Sequence, residues 1–285
     1  MVPPSGNAGA SRRGGPRFRI GTQGWSYPAW VGPFYPPERQ TEDLLGVYAE
    51  AFDTVEVNST YYATPDGARI ASWRERTPAG FRFALKLPGE ITHERRLRDC
   101  RAELTTFLLR AELLEDKLGP LLIQLPPDFT RRSNEAAVRD FIGHLPADFT
   151  FAIEFRAPGW LDAGTIAFLD DWGIAPAVSV GPWRDGAEAR ALIDAIGGAG
   201  SLTYVRWMGA VRHRYGLGEV EVERDDDLDA WAATLREAAT GDRIVWAFFN
   251  NDWQGHSPAS ARALQRRLGM RAVEPGELVV QRDLF

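Results

Sequence analysis

The stretch Phe149-Thr150-Phe151-Ala152-Ile153-Glu154-Phe155-Arg156 has the composition of a buried β-strand that ends in two charges. Its apolar run is rich in aromatic and β-branched residues, and a polar boundary precedes it at Pro146-Ala147-Asp148. Glu154 and Arg156 are two positions apart, so both project to the same side of an extended strand. Because a charge at the end of a buried strand is costly, we expect these two side chains to be paired or used in binding.

The rest of the chain repeats this order of apolar strand, polar strand end and helix. The other predicted strands cover 18–25, 54–60, 81–88, 121–127, 174–181, 202–209 and 243–251. The predicted helices cover 41–52, 66–76, 97–118, 133–144, 162–172, 186–196, 225–239 and 257–268. Gly119-Pro120 is expected to stop the third helix, and Ser133 is expected to cap the fourth.

Eight strand–helix units in a chain of 285 residues indicate an α/β fold, a single (β/α)8 TIM-barrel-like domain. The alternative is a doubly wound open sheet, which a glycine-rich phosphate turn after the first strand would favour. Gly21-Thr22-Gln23-Gly24 lacks the GxGxxG spacing, and a proline-rich loop rather than a helix follows it. The predicted boundaries are a disordered N-terminal arm at 1–16, the barrel domain at 17–270 and a C-terminal tail at 271–285.

Composition narrows the classes of function. A formal net charge of −6 argues against a broad nucleic-acid-binding surface, although it leaves room for a local basic pocket. The single cysteine, Cys100, excludes an internal disulfide bond and fits a reducing compartment. The sequence has no apolar run of membrane-spanning length, and residues 1–16 lack the apolar core of a signal peptide. The sequence therefore predicts a cytoplasmic protein with no membrane partner.

Polar residues collect at the carboxyl ends of the predicted strands or in the loops just beyond them. In a TIM barrel these ends meet at one rim, where the active site lies. A single charge there is as well explained by an internal salt bridge, but several charges converging on one rim favour a binding site. The predicted site residues are Trp25, Glu56, Asn58, Lys86, His93, Gln124, Glu154, Arg156, Arg206, Asn250, Asn251 and His256.

The chemistry of these residues suggests roles. Glu56 and Glu154 are candidates for acid and base catalysis, with His93 as a third catalytic candidate. The two strand-end arginines and Lys86 would form a cationic floor suited to phosphate or carboxylate. The asparagines would orient hydroxyl groups or hold an oxyanion.

No cofactor is predicted for this rim. Glu56, Glu154 and a histidine could together hold a divalent metal, but no metal-binding spacing motif supports this arrangement, so no metal ligands are assigned. The cationic floor and the asparagines predict a small or polymeric anionic, hydroxylated ligand, and the two glutamates predict acid/base or hydrolytic chemistry on it, as in a hydrolase or isomerase.

Eight segments together resemble the YecE-like family, which is family seventy-two of the domains of unknown function. These segments are Gly21-Thr22-Gln23-Gly24-Trp25-Ser26-Tyr27, Val55-Glu56-Val57-Asn58-Ser59-Thr60-Tyr61-Tyr62, Phe83-Ala84-Leu85-Lys86-Leu87-Pro88, Ile91-Thr92-His93, Gln124-Leu125-Pro126-Pro127, Glu154-Phe155-Arg156, Tyr204-Val205-Arg206 and Phe249-Asn250-Asn251-Asp252. The resemblance covers about residues 18–268 and implies a TIM-barrel-like fold. It implies no established activity, because the family is largely uncharacterised.

The chain departs from the family pattern at two positions. After the seventh strand the family usually reads Val-Arg-Leu-His-Gly, whereas this chain has Met208 at the histidine position. An aspartate is also expected near Val180 and is absent. The resemblance thus implies that any metal binding or proton transfer by those two groups in relatives is weakened or lost here.

The end of the chain, Gln281-Arg282-Asp283-Leu284-Phe285, resembles the peptide by which bacterial replication and repair proteins dock on the DNA sliding clamp. Gln281, Asp283, Leu284 and Phe285 fit that pattern and Arg282 departs from it. Leu284 and Phe285 would enter an apolar groove while Gln281 fixes the register. The alternative predicted function is an accessory DNA-maintenance module recruited through this tail.

Overall fold

The computed structural model describes residues 17–39, 43–209 and 216–278, and its eight strands form one parallel sheet. The strands are β1 (Phe18–Thr22), β2 (Thr54–Val57), β3 (Arg82–Lys86), β4 (Leu118–Gln124), β5 (Phe151–Glu154), β6 (Ala175–Val180), β7 (Leu202–Trp207) and β8 (Ile244–Phe249). The helices are α1 (Leu44–Ala51), α2 (Gly67–Glu75), α3 (Arg101–Ala111), α4 (Arg131–Ile142), α5 (Ala163–Asp171), α6 (Gly186–Ile196), α7 (Asp225–Ala238) and α8 (Ser257–Arg267).

The sheet closes on itself, which confirms the predicted TIM-barrel-like fold and excludes the doubly wound alternative. The strand order is β1-β8-β7-β6-β5-β4-β3-β2, and a parallel bridge between Gln23 and Glu56 joins the two ends of this order. Gly21 permits the closure because a Cβ atom at this position would lie only 2.3 Å from the carbonyl oxygen of Thr54. Any larger side chain would push β1 away from β2.

The barrel interior is filled by alternate residues of the strands, as the two-residue repeat of a strand requires. Small side chains on β3, β5 and β6 face larger ones on β7 and β8. The buried interior cluster consists of Ala84, Leu122, Ala152, Ala175, Ala177, Leu202, Tyr204, Trp246 and Phe248. Continuing the same alternation toward the carboxyl ends leads to the polar residues Lys86, Gln124, Glu154 and Arg206, so the fold itself carries these side chains to one mouth.

Several predicted boundaries were wrong. Most strands end two or three residues earlier than predicted, since the residues after them form turns rather than continuing the ladder. The third helix begins at Arg101 instead of residue 97, because Arg96, Leu97 and Asp99 have positive φ angles. Gly119 and Pro120 lie inside β4 instead of before it.

The fourth helix begins at Arg131 with Thr130 in the capping position, so the cap predicted at Ser133 was also wrong. The predicted arm at 1–16 lies outside the described residues. Of the predicted tail, residues 271–278 are described, and Leu278 is buried with its carbonyl oxygen 3.1 Å from the Arg39 guanidinium. No helix in the described part of the chain is long and apolar enough to cross a membrane.

Candidate functional site

A cavity of about 1150 Å³ opens at the carboxyl ends of the strands. Its walls are largely aromatic and its floor is largely polar and cationic. The lining includes Gln23, Trp25, Tyr27, Asn58, Tyr61, Tyr62, Arg69, Trp73, Arg76, Lys86, His93, Gln124, Arg156, Trp183, Arg206, Met208, Asn250 and Asp252. Eight predicted site residues therefore line one cavity: Trp25, Asn58, Lys86, His93, Gln124, Arg156, Arg206 and Asn250.

At the floor of the cavity lies a closed ion cluster built on Arg206, which lines the cavity although it is only 1% exposed. Arg206 binds Glu56 with two nitrogens, at 2.8 Å from Nε to Oε2 and 2.7 Å from Nη2 to Oε1. Its Nη1 atom donates to Oε2 of Glu154 at 2.6 Å. The Tyr204 hydroxyl completes the cluster by donating to Oε2 of Glu56 at 2.8 Å. Both carboxylates are fully buried, and neither is part of the cavity lining.

Electrostatics keep Arg206 and Glu154 in their charged forms. Burial raises the pKa of Glu154, but the charges and hydrogen bonds of Arg206 and Arg156 outweigh it and leave that pKa at about 2. Burial lowers the pKa of Arg206, and the charges of Glu56 and Glu154 more than reverse this, so its pKa is raised. Glu154 is therefore a permanent carboxylate near neutral pH.

Lys86, the last residue of β3, extends from the floor into the cavity without a polar partner. It is 9% exposed, and among the described residues no hydrogen bond or ion pair reaches its ammonium group. Its close neighbour is the ring of Tyr61, whose centroid lies 4.0 Å from Nζ. Burial, followed by the charges of Arg206 and Arg156, lowers the pKa of Lys86 to about 7, against the opposing effect of Glu154 and Glu56.

Arg156, two residues beyond β5, is only partly satisfied. Its Nε atom donates to Oε1 of Glu154 at 2.6 Å, which confirms that the two charges of the opening stretch pair with each other. Its guanidinium carbon lies 4.2 Å from the centroid of the Trp183 ring, and that indole donates to the Ser179 hydroxyl at 3.0 Å. In the described part of the chain, no acceptor contacts the two terminal nitrogens of Arg156. The side chain is thus held at one end and open at the other.

An amide network forms a second part of the lining. Oε1 of Gln23 accepts from the side-chain nitrogens of Asn58 at 3.3 Å and Asn250 at 3.1 Å. The amide nitrogen of Gln23 lies 3.1 Å from the Met208 sulfur, a weak acceptor. The side-chain oxygen of Asn58 is buried without a partner among the described residues. This network thus presents side-chain amides to the cavity and keeps one acceptor buried behind them.

His93 lies in a π-helical turn, Glu90–Glu94, a form of helix that often marks functional sites. Its Nδ1 atom is 2.8 Å from the Thr92 hydroxyl, and its Nε2 atom is 3.5 Å from the amide nitrogen of Gln124. Burial and the charges of Lys86 and Arg156 lower the pKa of His93 to about 4. The imidazole is therefore neutral near pH 7.

Besides Glu56 and Glu154, two more predicted site residues, Asn251 and His256, lie outside the cavity lining. Asn251 is buried, and its side-chain oxygen accepts hydrogen bonds from the Trp30 indole at 3.2 Å and from the Ser257 hydroxyl at 2.8 Å. His256 is also buried, with Nδ1 2.9 Å from the carbonyl oxygen of Leu217. Both side chains connect loops instead of facing a ligand.

Sequence reasoning missed the partners that position the cations. Tyr204 is in the middle of a strand, and no local pattern indicates that it contacts a glutamate 148 positions away. Tyr61 follows Asn58 within a conspicuous Thr-Tyr-Tyr run, which is a signal that an aromatic wall follows the second strand. Among the described residues, no group of three or more histidine, cysteine, aspartate or glutamate side chains is arranged to hold a metal ion.

Comparison with known proteins agrees with this motif set. The model of the family described as "Protein of unknown function DUF72" matches residues 19–281. The chain belongs to the DUF72 family. In Escherichia coli, the UPF0759 protein YecE is 37% identical over 145 residues, which is 51% of this chain and 50% of YecE. The chain therefore matches about half the length of that relative.

Other members of the family match over nearly their whole length. The UPF0759 protein YunF of Bacillus subtilis is 24% identical over 288 residues, covering 93% of this chain and 99% of YunF. The crystal structure of a DUF72 family protein from Thermotoga maritima has a TM-score of 0.71 and 25% identity, with 88% of this chain and 99% of that chain covered. The fold and family are thereby shown, and neither description names a ligand.

Proposed function

We propose that the cavity binds a small hydroxylated anion, such as a phosphate or carboxylate ester or acid, and that Lys86 transfers protons to or from it. The observation that carries this proposal is the incomplete satisfaction of Arg156 and Lys86. Both cations line a closed-bottomed cavity, and among the described residues neither the terminal nitrogens of Arg156 nor the ammonium of Lys86 has a polar partner. Lys86 is buried and Arg156 is half-buried, and cations withdrawn from water without partners are costly unless a ligand completes them.

A count of the buried charges points to an anion. Three cations, Lys86, Arg156 and Arg206, are close to two carboxylates, Glu56 and Glu154. One positive charge is therefore in excess at the floor when Lys86 is protonated. Among the described residues, the more exposed edge of the cavity has one acid, Asp252, and two arginines, Arg69 and Arg76. The edge therefore does not cancel the positive charge of the floor.

The remaining lining favours a hydroxylated ligand. The side-chain amides of Gln23, Asn58 and Asn250 line the cavity and are joined by hydrogen bonds, so they form a polar surface suited to hydroxyl groups. Aromatic walls suit the apolar faces of a sugar or a ring. The cavity volume of about 1150 Å³ exceeds what inorganic phosphate needs, so an organic anion fits the space better.

Lys86 is the better candidate for proton transfer than the two glutamates proposed from the sequence. A group with a pKa of about 7 holds and releases a proton equally well at neutral pH. Glu56 and Glu154, in contrast, have their oxygens bound by guanidinium and phenol groups below the cavity. Their acid–base role stays a prediction, and their hydrogen bonds instead support a role in positioning Arg206 and Arg156.

Isothermal titration calorimetry with glycerol 3-phosphate, and with glycerol as its uncharged counterpart, tests this proposal. The wild type should bind the phosphate and not glycerol, and Arg156→Met should weaken binding by at least about tenfold, because a charge-assisted bidentate contact is lost. Arg271→Met is the matched control, since that side chain is 79% exposed and distant from the lining. Equal binding by all three proteins, or no binding by the wild type, would overturn the proposal.

Docking on the sliding clamp remains a separate proposal for the same chain. It rests on the sequence pattern of Gln281, Asp283, Leu284 and Phe285, which lie outside the described residues. Deleting residues 281–285 should abolish capture by immobilised clamp while leaving glycerol 3-phosphate binding unchanged. Undiminished capture by the truncated protein would exclude this alternative.

A further inference from the structure

The chain uses arginine almost exclusively as its cationic residue. Of its 33 lysine and arginine residues, Lys86 and Lys117 are the only lysines. Arginine keeps its proton at all physiological pH values, whereas lysine can lose one when it is desolvated. A lysine in such a chain therefore needs either a geometric or a chemical explanation.

Lys117 has a geometric explanation. Its Nζ atom donates to the carbonyl oxygens of Arg74 and Thr77 and to the Thr77 hydroxyl, so all three of its protons are used. Arg74 is in the last turn of α2 and Thr77 lies just beyond it, where carbonyl groups lack helical partners. A compact ammonium group with three donors suits this nest of oxygens better than a planar guanidinium does.

Lys86 has no such explanation. None of its protons has an acceptor among the described residues, and its side chain lies in the cavity over the Tyr61 ring. The charged groups that act on it are Arg206, Arg156, Glu154 and Glu56, and their combined effect with burial lowers its pKa to about 7. At neutral pH the reactive free amine is then populated on the order of a thousandfold more than in an ordinary lysine.

We propose that Lys86 is a nucleophile that forms an imine with a carbonyl compound carrying a phosphate or carboxylate group. The geometry behind this is a desolvated amine at the end of a barrel strand, facing an aromatic cavity beside a half-open arginine. The inference rests on the proposed anion site, because Arg156 would hold the anionic group while Lys86 reaches the carbonyl carbon. It adds a substrate class and a covalent step to that site.

The step balances without a further reactant. The neutral Nζ atom attacks the carbonyl carbon, and one of its protons moves to the carbonyl oxygen to give a carbinolamine. Nζ then loses its second proton, the hydroxyl group takes up one proton, and the C–O bond breaks to release one water and leave the C=N bond. The neutral imidazole of His93, whose ring centroid is 5.0 Å from that of Tyr61, is a proton acceptor on the same wall of the cavity.

Borohydride trapping tests this step directly, with pyridoxal 5′-phosphate as the probe and pyridoxal as its phosphate-free counterpart. Reduction converts an imine into a stable secondary amine that peptide mass spectrometry locates. With two lysines and the α-amino group as the amines of the chain, each site is resolved. Lys86 should be labelled at least about tenfold faster by the phosphate-bearing aldehyde than by pyridoxal, since a charge-assisted contact contributes about that factor.

Two variants and a competitor show whether Lys86 is labelled because its amine is reactive or only because it is accessible. Lys117→Arg should leave the labelling of Lys86 unchanged, and glycerol 3-phosphate should protect Lys86 in competition. Arg156→Met should remove the preference for the phosphate-bearing aldehyde without removing the reaction with pyridoxal. Labelling of Lys86 no faster than that of the α-amino group or Lys117 would overturn the inference.

The two proposals fail in different ways. If glycerol 3-phosphate binds in an Arg156-dependent manner and yet neither aldehyde labels Lys86, the anion site stands and the imine is excluded. If Lys86 reacts equally with both aldehydes and glycerol 3-phosphate neither binds nor protects, the anion site is excluded, and with it the assignment of an anionic substrate.

Discussion

Two adjacent layers of charge at the mouth of the barrel differ in how completely they are satisfied. In the lower layer, Arg206 binds two fully buried glutamates with three of its nitrogens, and a tyrosine hydroxyl completes the set. In the layer that faces the cavity, Arg156 bonds through one nitrogen and Lys86 through none, as far as the described residues show. The lower layer is closed, because its charges are paired with one another, and it can only support the structure. The upper layer is open, because the buried Lys86 and the half-buried Arg156 keep donors that a ligand can use.

Arg206→Met gives the largest expected effect, because it leaves two carboxylates buried without their cation. The free energy of unfolding at pH 7 should fall by about 3–5 kcal/mol. Urea denaturation checks this, with Arg271→Met as the exposed control. If the variant does not fold, adding Glu56→Gln and Glu154→Gln should restore folding by making the layer neutral. A loss no larger than that of the control would show that the lower layer does not support the fold.

Glu154→Gln tests the same layer through acid stability. The folded-state pKa of Glu154 is about 2, below its ordinary value, so its stabilising effect is present above about pH 4 and is lost as the pH falls through 2. Between pH 5 and 2 the wild type should lose about 3 kcal/mol more than the variant. Parallel stability profiles for the two proteins would contradict the assignment.

Lys86→Met tests the open layer and should have the opposite sign. The pKa of Lys86 is lowered in the folded state, so the cost of its charge is fully present below pH 7 and disappears as the pH rises toward the unfolded-state value. The variant should be more stable than the wild type by about 3 kcal/mol at pH 6, after allowance for the lost contact with Tyr61. The difference should vanish near pH 10, and a destabilised variant at pH 6 would refute the interpretation.

Trp183→Leu should have the smallest effect. The ring lies under the Arg156 guanidinium at 4.2 Å from its centroid, and removing it costs about 0.5–1 kcal/mol of anion affinity, or a few-fold in Kd. Calorimetry with glycerol 3-phosphate measures this change. Trp183→Phe retains an aromatic face and should recover most of the affinity. Equal affinity of the Trp183→Leu variant and the wild type would argue that the contact between Trp183 and Arg156 does not contribute to anion binding.

The sequence predicted the barrel well because the strand–helix alternation is a repeated and local signal. It also predicted which strand ends carry polar groups, since the two-residue alternation that fills the interior with Ala84 and Ala152 brings Lys86 and Glu154 to the mouth. It failed at positions 96–99, where positive φ angles delay the third helix, because no glycine marks these backbone conformations.

The pairing of side chains on distant strands could not be predicted from the sequence. Arg206 and Arg156 both lie near the end of an apolar strand, so their local sequences look alike. In the structure, however, three nitrogens of Arg206 bind two glutamates, whereas Arg156 binds one glutamate through one nitrogen. The same holds for Asn250 and Asn251, which are neighbours in sequence but face the cavity and a loop, respectively. Only the three-dimensional register decides which charges are already neutralised.

The most direct test of the open layer is the titration of the Lys86 ammonium by NMR with lysine labelled at Cε. The two lysines give two signals, and Lys117, bound to three oxygens of the protein, is the internal reference. We expect Lys86 to titrate near pH 7 and its pKa to rise when glycerol 3-phosphate is added, with no response from Lys117. A Lys86 signal that titrates near pH 10 and ignores the anion would contradict the account.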